Sequence, residues 1–80
     1  MFSSELFGQR LRASRKQTKE TQSDLGAFLG LKKSQISELE NGSASTTLEK
    51  VSLICQHYHV SADYLLGLTD DPTPYHRNQE

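Results

Sequence analysis

Cys55, His57 and His59 fall within the stretch "CQHYH". Thiolate and imidazole are the usual zinc ligands, so a metal or redox centre would be sought here first. On a helix only Cys55 and His59, four residues apart, share a face, and His57 points elsewhere. No second ligand pair at metal spacing stands nearby, and His76 is far along the chain. The stretch therefore reads as a core cysteine with solvent-facing histidines, and no metal is expected. A serine–histidine–acid order, a phosphate-cradling glycine loop and a convincing carboxylate pair are all missing from the sequence. A chain of 80 residues has little room for a deep pocket. No enzyme activity and no cofactor are expected.

The stretch Gly30 to Gly42, "GLKKSQISELENG", has only Leu31, Ile36 and Leu39 as clearly apolar side chains. A helix from about Lys33 to Glu40 puts Ile36, Leu39 and Glu40 on an inward side. Lys33, Ser34, Ser37, Glu38 and Asn41 then fall on the opposite side at i, i+3 and i+4 spacings. A small domain has few helices, and this one gives little to a core. Its outer face is free to touch a partner.

The elements that would carry this face are short helices. Ser3 or Ser4 caps a first helix running to about Gln17, with Phe2, Leu6, Phe7 and Leu11 near helical spacing. Thr21 caps a second, with Asp24 three residues on as an acidic capping box. Leu25, Phe28 and Leu29 form its apolar face, and Gly30 ends it. Gly26 lies inside it, where glycine costs roughly 1 kcal/mol against alanine, and so marks a close approach by another backbone. Asn41-Gly42 stops the third helix. A fourth, about 47–58, carries Leu48, Val51, Ile54, Cys55 and Tyr58 on one stripe; Ser61 caps a short fifth, ended by Gly67. Residues 1–68 form one all-α domain of five helices, and 69–80 a polar tail that is mobile unless a partner fixes it.

Composition supports a soluble globular domain, with 34% hydrophobic and 24% charged residues. No run approaches the roughly 18 apolar residues of a membrane span, and the N-terminus lacks a secretory layout. The single cysteine fits a reducing cytosol, so a cytoplasmic location is expected. The net charge of −1 hides a polarity: residues 1–33 carry +4 and residues 34–80 carry −5. Local field, rather than net charge, is what a phosphate feels.

A short helix, a glycine-containing turn and a second short helix make a helix-turn-helix. With Thr21-Gln22, Leu25, Leu29-Gly30, Ile36-Ser37, Glu40-Asn41-Gly42, Val60-Ser61 and Tyr64-Leu65-Leu66-Gly67, the chain resembles the Cro/repressor-type helix-turn-helix DNA-binding domains, over about Leu6 to Gly67. The resemblance implies a five-helix fold whose third helix lies in the DNA major groove. It implies base contacts by Lys32, Lys33, Ser34, Ser37 and Glu38: lysine can donate to guanine, serine to several bases, and glutamate can accept from cytosine. The two lysines serve equally well as phosphate contacts. Thr21, Gln22 and Asn41 are placed for phosphate, Gln22 where the second helix's dipole favours an anion. Arg15 and Glu40 match a buried ion pair that ties the first helix to the third.

The chain departs from the family pattern in several places. Lys32 stands at the usual hydroxyl cap of the third helix. Lys19 and Glu20 replace a common glycine and apolar residue, Ser14 replaces a leucine, and residues 43–46 lack the basic side chains frequent there. The expected function is a DNA-binding transcriptional regulator, a repressor, with a double-stranded operator as partner. One module buries little surface, so a homodimer on a palindromic site is expected, joined through Tyr64, Leu65, Leu68 and Tyr75, with a place in its own chain's core as the alternative for Leu65. A helix-turn-helix module that binds protein instead of DNA is the alternative.

Overall fold

The structure, a computed structural model, describes residues 1–74. Five helices follow in order: α1 (Ser4–Gln17), α2 (Gln22–Leu29), α3 (Lys33–Glu40), α4 (Leu48–Tyr58) and α5 (Ala62–Leu66). No strand occurs among the described residues. Tyr75 lies outside them.

The helix starts follow the hydroxyls. The side chains of Ser3, Thr21, Thr47 and Ser61 accept the backbone amides of Leu6, Asp24, Lys50 and Tyr64, satisfying donors that a helix leaves open at its first turn. At α2 the Asp24 carboxylate reciprocates by accepting the Thr21 N–H, and that bond holds its carboxyl below the usual range. Only α3 lacks a hydroxyl cap. There Gln35 Oε1 accepts the Lys32 N–H at 2.8 Å, so half of a capping box remains.

The helix ends share one device. Each is closed by a residue in the left-handed region: Lys19 after α1, Gly30 after α2, Gly42 after α3, His59 after α4 and Gly67 after α5. Behind each, the next amide reaches back to the last turn; Glu20 N–H donates to Arg15 O at 3.2 Å, with Lys19 N–H on Lys16 O at 3.0 Å. Two of the five positions are not glycine, and a side chain there strains the backbone. Lys19→Gly is expected to raise stability by about 0.5–1 kcal/mol in urea unfolding, with no change in helix content.

Packing is dominated by α1 against α3 and α5, and by α2 against α3. Phe7, Leu11, Leu25, Leu29, Ile36, Leu39, Ile54, Tyr58 and Leu65 form the core. Two glycines let backbones meet. A Cβ on Gly26 would sit 2.5 Å from Leu31 O, and one on Gly8 would sit 2.5 Å from Glu40 O, far inside ordinary contact. Ser14, at the family's leucine position, is buried with its hydroxyl donating to Arg10 O at 2.9 Å. A helix can thus carry a buried serine without an unpaired polar atom.

Several expectations need correction. Leu48 leaves the α4 stripe for solvent at 85% exposure, because it is the first residue of the helix and extends past the neighbours that cover Val51 and Ile54. Phe28 is also outside the core; its ring stacks on His57, centroids 4.1 Å apart. His57 is accordingly partly buried rather than solvent-facing, while His59 is exposed. Leu65, expected at a dimer interface, is fully buried in its own chain's core. The segment after α5 is held: Arg10 donates to the carbonyls of Tyr64 and Thr69 and to Asp70 Oδ1, and Ser61 N–H donates to Pro72 O at 2.9 Å. The first part of the expected free tail is therefore tied to α1 and α5.

Candidate nucleic-acid interface

The geometry of α3 follows from its position over α1 and α2. Successive residues of a helix turn by about 100°. Ile36, Leu39 and Glu40 are buried, whereas Lys33, Ser34 and Glu38 are exposed and Ser37 is half-buried. Positions 33, 34, 37 and 38 span an arc of roughly 140° on that spacing. Lys32, at the N-cap, and Asn41, at the C-cap, are also exposed and extend the polar surface at both ends. With Lys32, the arc combines two ammonium donors, two hydroxyls and one carboxylate acceptor. Asn41 Oδ1 is taken by the Ser43 amide at 3.0 Å and hydroxyl at 2.7 Å, which leaves its NH2 group as the donor for a partner.

The buried side of α3 is held by charge as well as by packing. Arg15 Nε donates to Glu40 Oε2 at 2.6 Å and Nη2 to Glu40 Oε1 at 3.0 Å, with the two side chains 9% and 4% exposed. This two-pronged fit matches the planar fork of a guanidinium to a carboxylate. Hydrogen bonding to Glu40 raises the Arg15 pKa, so the cation persists in its buried place. Arg15 Nη1 donates further to Glu20 O at 2.8 Å.

Gln22 takes a different part from the one the sequence assigned. Its Nε2 donates to Glu40 Oε1 at 3.0 Å, so its side chain is turned inward and couples the start of α2 to the end of α3. Thr21 is exposed, its hydroxyl oxygen accepting the Asp24 amide. Capping uses that oxygen as an acceptor and leaves the hydroxyl proton available. Tyr64 is half-buried beneath the Arg10 guanidinium, 4.3 Å from the ring centroid, while Leu68 is 72% exposed.

Two further residues hold the site together, Arg10 and Glu20. Arg10 lies on the stripe of Phe7, Leu11 and Ser14, so helical spacing alone marks it as inward-facing. Glu20 sits in a turn, where no periodicity marks it. Its carboxylate accepts the Tyr58 hydroxyl at 2.7 Å and meets His57 Nε2 at 2.7 Å. Burial, reinforced by Glu20, raises the Tyr58 pKa and keeps the phenol a donor. Burial likewise raises the Cys55 thiol, which disfavours the thiolate that metal binding needs. No group of three metal-ligating side chains occurs among the described residues, and no helix there is long and apolar enough to cross a membrane.

The sequence matches the helix-turn-helix family over residues 11–65. It is 42% identical, over 69 residues, to the uncharacterized HTH-type transcriptional regulator YobD of Bacillus subtilis. That alignment covers 86% of this chain and 62% of YobD, so the chain spans less than two thirds of this relative's length. Its fold is similar to that of the P22 c2 repressor crystallised with a synthetic operator, at a TM-score of 0.71 and 34% identity over 76% of this chain and 92% of that one. It is also similar to the restriction-modification controller protein C.AhdI from Aeromonas hydrophila, at a TM-score of 0.68 and 26% identity over 78% of this chain and 94% of that one. With a family match across most of its length and the five-helix fold to go with it, the chain belongs to the Cro/repressor-type helix-turn-helix family.

Proposed function

We propose that this chain is a sequence-specific DNA-binding transcriptional regulator, a repressor, that lays α3 in the major groove of a double-stranded operator. The observation that carries the reading is the exposed polar arc of α3, standing opposite a buried face of Ile36, Leu39 and Glu40. A major groove admits a helix and presents each base pair as a pattern of donors and acceptors. Lys32, Lys33, Ser34, Ser37 and Glu38 supply the complementary groups. Thr21 and Asn41 are assigned to phosphate, and Gln22 contributes through its backbone and its hold on Glu40. The P22 c2 repressor, solved with an operator, supports this assignment by likeness of fold.

The regulator acts as a two-fold dimer on a palindromic site, with its two recognition helices about 34 Å apart. Leu68 and the exposed edge of Tyr64 form the contact; Leu65 contributes from beneath as core. The setting is a cytoplasmic one.

Selection of bound sites from a random duplex pool, at about 50 and 200 mM salt, tests the reading. The expected result is an enriched inverted repeat whose affinity falls steeply with salt. No enrichment and no salt dependence would direct the reading to a protein partner instead. Lys33→Ala is expected to relax one base position by about 1–3 kcal/mol if it reads guanine, or to weaken all duplexes and lower the salt slope by about one if it holds phosphate. Binding unchanged on every duplex removes Lys33 from the site.

A further inference from the structure

The turn between α1 and α2 does more than connect them. Lys19 takes a strained left-handed conformation (φ 63°), and this places Glu20 beneath the end of α4. Both oxygens of the Glu20 carboxylate are used there, Oε1 by the Tyr58 hydroxyl and Oε2 by His57 Nε2, each at 2.7 Å. The same imidazole stacks on Phe28 of α2, its plane inclined by 19° to the phenyl ring. On its other side Glu20 gives its carbonyl to Arg15, which clamps Glu40, which in turn holds Gln22. One unbroken chain of contacts thus runs from α4, through the turn, to the end of α3 and the start of α2.

We propose that Glu20 is a positioning residue for DNA recognition, setting the attitude of the α2–α3 pair against α4 by gripping Tyr58 and His57 with its carboxylate and Arg15 with its carbonyl. The inference rests on the DNA-binding reading above for its functional consequence, but not for its structural one. The helix packing explains why such a grip is needed. α3 is braced by α1 and α2, and α2 by α3, whereas the principal helix contact of α4 is with α5. The Glu20, His57 and Phe28 contacts are polar and aromatic ties between α4 and the recognition unit. Groups joined in one hydrogen-bond network respond non-additively when one member is removed.

The test compares Glu20→Ala, Glu20→Gln and Tyr58→Phe with the unaltered chain. Two quantities are read: the backbone amide shifts of residues 33–40 by NMR, and the ratio of affinities for a selected duplex and a scrambled one. Glu20→Ala is expected to move the α3 amides, although residue 20 lies outside α3, and to lower the affinity ratio by about tenfold. Affinity for the scrambled duplex should not fall, since a negative charge has been removed. Glu20→Gln keeps the shape and one acceptor and should recover most of both readings. Tyr58→Phe should move both in the same direction as Glu20→Ala but less, and it carries the test if the alanine variant does not fold. A lower melting temperature with α3 amides and affinity ratio unchanged would overturn the proposal, making Glu20 a contributor to stability alone. If the unaltered chain binds no duplex, the DNA reading fails, and the α3 amides still decide whether Glu20 positions the helix.

Discussion

Glu40→Ala is expected to destabilise the domain by about 3–5 kcal/mol in urea unfolding. The substitution leaves the Arg15 guanidinium, 9% exposed, with the Glu20 carbonyl but no counter-charge. It also frees Gln22, which loses its acceptor on Glu40. A domain of this size has a total stability of about 4–12 kcal/mol, so the loss would remove at least about a quarter of it and, at the lower end, nearly all. The cost comes from stranding a buried charge, which makes a specific second prediction possible. Removing both charges in Arg15→Met/Glu40→Leu should recover most of the stability, because well-packed apolar residues can match or exceed a buried pair. A loss below about 1 kcal/mol for Glu40→Ala would place the pair with exposed ion pairs, which contribute that little.

Gly8→Ala is expected to cost about 3 kcal/mol, and to lower the melting temperature by about 12–24 °C. Alanine is the better helix former by about 1 kcal/mol, so helix propensity predicts the opposite sign. Contact decides between them. The new Cβ would lie 2.5 Å from Glu40 O and 2.7 Å from Glu40 C, and both are backbone atoms that no rotamer change can move. α1 and the end of α3 would have to separate, opening the packing around Leu39 and straining the Arg15–Glu40 bonds. Because the displaced element is α3, duplex discrimination should fall along with stability. A melting temperature equal to or above that of the unaltered chain would show that the two helices can part at no cost.

Much of this was legible in the sequence because it is local. The caps at Ser3, Thr21 and Ser61, the stops at Gly30, Gly42 and Gly67, and the amphipathic division of α3 all depend on residues within one or two turns of each other. Gly26 is readable in the sequence as a close approach, whereas Gly8, which makes the tighter one, carries no local signal of it. The difference lies in the partner: Gly26 faces its own turn at Leu31, five residues on, whereas Gly8 faces α3 across the fold. Distance along the chain hid Glu20 and the retained segment 69–72 in the same way. Phe28 shows another limit. Helical spacing placed it with Leu25 and Leu29, but its ring sits at the margin of that face, where an imidazole from α4 covers it instead of core aliphatics. Leu65 shows the converse. Of the fifth helix's apolar residues it alone points fully inward, and five residues make too short a helix for periodicity to separate it from Tyr64 and Leu66.

If the polar arc of α3 reads DNA, a protein-side footprint will show it. In a titration of the isotopically labelled chain with its selected duplex, the predicted result is that amide and side-chain signals of residues 32–38, with Thr21 and Asn41, move first and furthest. A separate groove, lined by Phe2, Phe7, Leu48, Val51 and Leu66 together with Ser45 and Thr46, should stay unchanged in the protein–DNA contact. Shifts concentrated on that groove, with the α3 signals still in place at saturating duplex, would mean that α3 does not meet the DNA.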